Sequence, residues 1–569
     1  MDGPPSEGQR QRRPERPPAQ RWGGDDSDQR SRQAPQAAQS EAVERQAIPD
    51  AVDKGDLAPV MAGDGFGMPM ELWRGIDAAA FEKLISGLEI PPRSPALHAL
   101  WTKLIASGGS APQGVGSEQT FTAVRLEALY QSGLAEVAAG ELAKLQVDGD
   151  PVLTALSARN EFALAHNDKG CELARSAAAA KGQMPKWLKA QSLLMSGYCA
   201  ALDGDTGGAG LAAEMAREEG VETSPGLDAL DAISIGSKAK LTPGKQLSLL
   251  DYRLAEKAGA APVKVVLDVG EPALLVALSN DPSTPGDIGM LAAEAAARLN
   301  ALSAETLAAI YRVNAPAEAA DALLSGGKAQ GPFHRAALFK AAEAERTPMK
   351  KARLIRAFLD DAKRAGILFQ ASEMMAKASS ELNPAPEISW YAETGAEVAL
   401  VAGKYDDARR WIAASPSPGA LAHWLALADI ADPSYAQRGQ DLVALEPLAA
   451  SGRFKSDALH RLATVLDALL YQVPIPLWDA ASRTPQPAGG FLPETGVLSE
   501  LQDAAKKQEF GRTVLLSMKA LGPKGAEGAH MIALGDSIRA LKRAGLEADA
   551  RRLGFEALFV EWPRANGGG

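Results

Sequence analysis

The sequence predicts an all-α fold: an extended solenoid of antiparallel helix pairs, preceded by a disordered N-terminal arm. Three observations predict it. First, the apolar 46% of the chain is mostly Ala and Leu, with only 5% aromatic residues and few β-branched ones. Ala and Leu are strong helix formers, and sparse β-branching argues against large sheets. Second, from Trp73 onward apolar residues recur at three- and four-residue steps, the period of one helix face. Third, one turn pattern returns about every 35 residues, the spacing of stacked helix pairs.

Residues 1–69 are rich in Pro, Gln, Arg, Asp and Gly and poor in large apolar side chains. Such a segment buries too little surface to offset the entropy of ordering, so it reads as a disordered arm. Its cluster Arg10, Arg12, Arg13 and Arg16 reads as part of a solvated tail. The first helical region spans 70–220. Trp73, Ile76, Phe81, Leu84, Ile85 and Leu88 form one apolar stripe, with Asp77 as N-cap. Ser94 caps the next helix and Pro95 takes its first position, ahead of Leu97, Leu100, Trp101, Leu104 and Ile105.

Between 121 and 220 three segments share one pattern: LYQSGLAEVAAGELA, LAHNDKGCELARSAA and LDGDTGGAGLAAEMA. Each ends a helix, turns through small or polar residues and opens an Ala-rich helix. The pattern returns near 400 and 545, where Gly403 and Gly545 close a helix and Asp406 and Glu547 sit near the start of the next. The stretch 221–390 is a divergent set of helices. In it Pro282 and Pro285 break the chain, and Ser303 with Thr306 caps a helix. Val263 to Val269 looks β-branched but has no strand partner, and reads as helical or irregular. In the C-terminal region, 391–569, residues 472–496 carry five prolines and read as a tethered surface linker.

The turns at Gly133, Asp168, Asp205 and Gly403 resemble those of tetratricopeptide-type (TPR/HEAT-like) solenoids, although the Trp–Leu–Gly–Tyr spacing of that family does not recur in register. The segment MELWRGIDAAAFEKLISGLEIPPRSPALHALWTKLIAS resembles the opening of an uncharacterised helical-repeat family of alphaproteobacteria, sometimes labelled "antifreeze glycopeptide". No Thr-rich repeat accompanies it, so the label implies nothing here. That resemblance implies no activity and no site residues.

Several function classes are disfavoured. A net charge of −11 disfavours nucleic acid and anionic lipid, both of which need a cationic surface. The longest apolar stretch, Leu462 to Trp478, contains Asp467, Pro474 and Pro476 and reads as a buried helix rather than a membrane span. The six histidines stand singly, so no metal site is expected. His98, His423 and His460 fall within apolar patterns and read as core or boundary residues. GDGFGMP lacks the strand and helix of a dinucleotide site, and GPKGAEGAH lacks the ending of a P-loop and reads as a helix-opening loop. GDSIRA lacks the second glycine of a nucleophile elbow, so Ser537 reads as a surface helix position. The helix of Lys350 to Gly366 should turn Leu354, Ile355, Phe358 and Leu359 inward. No catalytic, cofactor-binding or metal-binding residue is assigned. The expectation is a non-enzymatic scaffold that takes a protein or peptide partner on its solenoid surface. The alternative is an enzyme or ligand-binding protein of the cell envelope, its site assembled from dispersed residues.

Cys171 and Cys199 are the only cysteines. They lie on two consecutive helices, about equally far from the turn between them, so they face each other if both point into the seam. They form either a disulfide or two buried apolar thiols. The N-terminus shows no apolar leader, which makes the cytoplasm the default. An oxidised pair would instead favour the periplasm.

Overall fold

Several helix starts in this chain are capped by short polar side chains. Asp77 accepts from Ala80 N at 2.8 Å, Ser94 from Leu97 N at 3.2 Å and Ser303 from Thr306 N at 3.1 Å. Each satisfies an amide that a helix leaves without an internal partner. Several helix ends are set by left-handed residues. At Gly403 (φ +69°) the chain reverses and Lys404 N donates back to Ala399 O at 2.8 Å. Leu470 closes a helix in the same way at φ +67°, with Tyr471 N donating to Leu466 O at 2.9 Å. Asp406 then falls in the first turn of the Tyr405–Ala413 helix, and Glu547 opens the Glu547–Phe559 helix.

The computed structural model describes residues 67–112, 117–145, 147, 149–180, 182–240, 246–260, 268–325, 331–435 and 438–564. Among them are 28 α-helices, two 3-10 helices and two isolated bridges, with no strand. The protein is all-α. Of the expected arm, residues 1–66 lie outside the described residues, as do Val263 to Leu267. Met68 belongs to the core, so the packed helical region includes residues ahead of the expected start at 70. No described helix is long and apolar enough to cross a membrane.

Consecutive helices pack as neighbours along the chain, for example Pro151–Ala163 on Asn167–Ala179 and Lys186–Asp203 on Thr206–Glu218. Small residues let them approach. Gly395 lies against the Trp411 ring, where an added Cβ would stand 2.6 Å from a ring carbon. The largest fully buried side chains, among them Trp101, Trp411, Trp424 and Phe555, are spread along the whole row. Some buried charges are paired inside it. Arg335 meets Glu294 through two bonds of 2.9 and 2.6 Å, and Tyr311 donates to the same carboxylate at 2.6 Å.

Two long-range features are not encoded by periodicity. The Pro272–Asn280 helix packs on Ser117–Gln131 and Pro151–Ala163. The second and last helices also meet. Glu556, on the last helix, accepts from Ala96 N at 2.7 Å at the start of Pro95–Ala106, and Lys103 pairs with Asp549 at 3.0 Å. Gly511 N donates to Leu72 O at 2.9 Å, and an added Cβ on Gly511 would strike the Trp73 ring.

The proline-rich 472–496 differs from the expected linker. It contains the Ile475–Ser482 helix, with Pro474 just before it and Leu477 and Ala481 buried. Phe491 then pairs with Ala529 in an isolated bridge. Proline ahead of a helix is preorganised for its first turn, so a high proline count is compatible with order here.

Candidate functional site

A large cavity lies on the first helices of three successive pairs, Ser117–Gln131, Pro151–Ala163 and Lys186–Asp203, with Ala78–Ser86 at one side. Its volume is about 1210 Å³. Val152, Leu153 and Leu156 supply apolar wall, while Gln119, Gln131, Gln183 and Gln191 supply side-chain amides. Glu82, Glu118, Glu127 and Asp150 also line it, and no Lys or Arg does among the described residues.

Beneath the groove sits Arg159, buried in the Pro151–Ala163 helix. It donates to Gln191 Oε1 at 2.8 Å and to Glu127 Oε2. Its guanidinium lies 4.0 Å from the Tyr130 ring centre and 5.7 Å from that of Trp187. Tyr130 in turn donates to Glu271 Oε1 at 3.0 Å. Burial works against the Arg159 charge, yet Glu127 and Tyr130 hold its pKa above the usual value. Burial pushes the Glu271 carboxyl up, against the pull of the Leu249 amide and Arg159. Trp187 is 46% exposed although it lines the groove. One side of this site is therefore fixed by ion pairs and ring contacts, and one large ring is left open to solvent.

Cys171 and Cys199 are brought together. Their Cα atoms are 5.6 Å apart and the sulfurs are at bonding distance. The bridge ties the second helix of one pair, Asn167–Ala179, to the groove helix Lys186–Asp203.

The other singled-out residues lie apart from the groove. His423 is buried, its Nε2 2.8 Å from Pro563 O, and burial lowers its pKa. Burial lowers that of His98 to about 4. His460 Nε2 sits 3.0 Å from Thr484 Oγ1. Among the described residues no group of three His, Cys, Asp or Glu side chains could hold a metal ion. Ser537 is fully buried in the Met531–Arg543 helix, not at the surface as expected. That helix packs on four others, so a small hydroxyl residue meets neighbours where solvent was expected. In the Pro348–Arg364 helix, Leu354, Ile355, Phe358 and Leu359 face inward as expected. Asp361 is buried beside them, 3.4 Å from Arg335.

Sequence reasoning did not single out Arg159, Glu127 or Trp187. The available signal was polar residues on the same face of three successive first helices, at a spacing too long for any local motif. No protein-family model, no curated protein and no solved structure matches this chain.

Proposed function

We propose that this protein is a non-enzymatic scaffold that holds an extended polypeptide segment of a partner in the groove of the Ser117–Gln131, Pro151–Ala163 and Lys186–Asp203 helices. One observation carries the reading: the groove runs over three helix pairs and is lined by four glutamine amides between apolar patches. A carboxamide both donates and accepts, so such a wall matches the alternating N–H and C=O groups of an extended backbone. Stacked helix pairs commonly bind in this way, along their exposed face. The cavity is also larger than most small-molecule sites require.

A display library of random dodecapeptides, selected against the full chain, tests this. Selected peptides should bind the protein and lose binding to the double variant Trp187→Ala, Gln191→Ala. Val313→Ala, at an exposed position outside the groove lining, should bind unchanged. Peptides that bind all three proteins equally would place the site elsewhere and overturn the reading.

A further inference from the structure

Within that reading, we infer that the groove selects a segment carrying a lysine or arginine, seated at Glu82 and Glu118, with an apolar or planar side chain laid on Trp187. The inference rests on which charges in the groove are already used. Glu127 is neutralised by Arg159. Asp150 caps its helix, accepting from Val152 N at 2.9 Å and Leu153 N at 3.2 Å. Glu82 and Glu118 make no ion pair among the described residues, and no lining Lys or Arg opposes them. They lie on helices joined by the Phe81–Phe121 ring contact, with centroids 4.9 Å apart. Neither carboxylate has a cation of the groove lining to offset it, and a cation from a ligand supplies that charge. Trp187 is an independent observation. Its ring is half open on the groove wall with Arg159 within reach of it, so its open side offers stacking area to an incoming side chain. An acidic chain of net charge −11 also steers a basic segment toward it and repels an acidic one.

The probes are the selected dodecapeptides, resynthesised with each Lys or Arg changed to Gln, and the full chain carrying Glu82→Gln and Glu118→Gln. Circular dichroism checks that the variant keeps its helicity. Selected sequences should be enriched in Lys or Arg over the library. Removing the peptide cation should weaken binding about fivefold, the scale of a solvent-accessible ion pair. The same loss should follow from the glutamine variant, and combining both changes should add nothing further. Sequences no richer in cations than the library, or fully additive losses, overturn this inference while leaving the polypeptide groove standing. Recovery of no binding peptide overturns both.

Discussion

Leu470 holds a left-handed backbone, φ +67°, with its side chain three-quarters exposed. Glycine occupies the equivalent place at Gly403. A left-handed conformation costs a branched L-residue roughly 1–2 kcal/mol, part of which glycine returns as unfolded-chain entropy. Leu470→Gly should therefore stabilise the protein by about 0.5–1 kcal/mol, read as a higher denaturant midpoint at unchanged slope. Cys171 and Cys199 carry a second residue-level prediction. Thiol counting under denaturing conditions, on unreduced protein from its own cells, should find no free thiol in the monomer. Finding two would remove the bridge and with it the argument for an oxidising compartment. Cys171→Ala with Cys199→Ala should cost roughly 3–4 kcal/mol in the chain-entropy model, for a separation of 28 residues.

At the scale of elements, the contact of Glu556 with the Pro95–Ala106 helix is sensitive to pH. Burial raises its carboxyl to about 7, against the pull of Ser94 and the Ala96 amide. Glu527 adds to the rise and Arg552 opposes it. The folded state therefore holds a proton that the unfolded chain releases at its ordinary carboxylate value. This contribution to stability is complete at acid pH and is lost as pH rises from about 4.5 to about 7. Glu556→Gln keeps an acceptor for Ala96 N and removes the charge. It should flatten that part of the pH–stability curve and exceed the parent at pH 8 by on the order of 2 kcal/mol. Thermal melts across pH 5–8 check both points. The caps at Asp77, Ser94 and Ser303 could be read from sequence because a cap and its amide lie three residues apart. Glu556 could not, because its partner lies 460 residues away. Ser537 was misplaced toward solvent for a related reason. A polar side chain is buried only where a distant partner or a crowded contact awaits it, and helical periodicity does not report either. The groove followed the same rule: its helices were legible one by one, while Arg159 and Glu127 meet only once two pairs are stacked.

For the whole molecule, contact between the second and last helices makes stability less local than in an open row. Open repeat arrays lose structure from their ends inward, because each repeat leans only on its neighbours. Here the last helix supports the second. Removing residues 547–569 should lower the hydrogen-exchange protection of Pro95–Ala106 to nearly that of a fraying terminus, although the two are far apart in sequence. Protection of the central Pro348–Arg364 helix serves as the internal control and should fall much less. Equal loss in both helices would mean global unfolding, and no loss in Pro95–Ala106 would mean that this contact contributes little.

The 460 residues between Ala96 and Glu556 also set a delay during synthesis. A ribosome adding roughly 5–20 residues per second needs about 20–90 seconds to cover that stretch. Through that interval the Pro95–Ala106 helix has emerged while the partner that caps it has not yet been made. The amino-terminal helices must therefore wait, part of their apolar face uncovered, for the final turns of the chain. A message translated slowly near its end prolongs that exposure, and its nascent product should occupy chaperones longer than one translated slowly near its start.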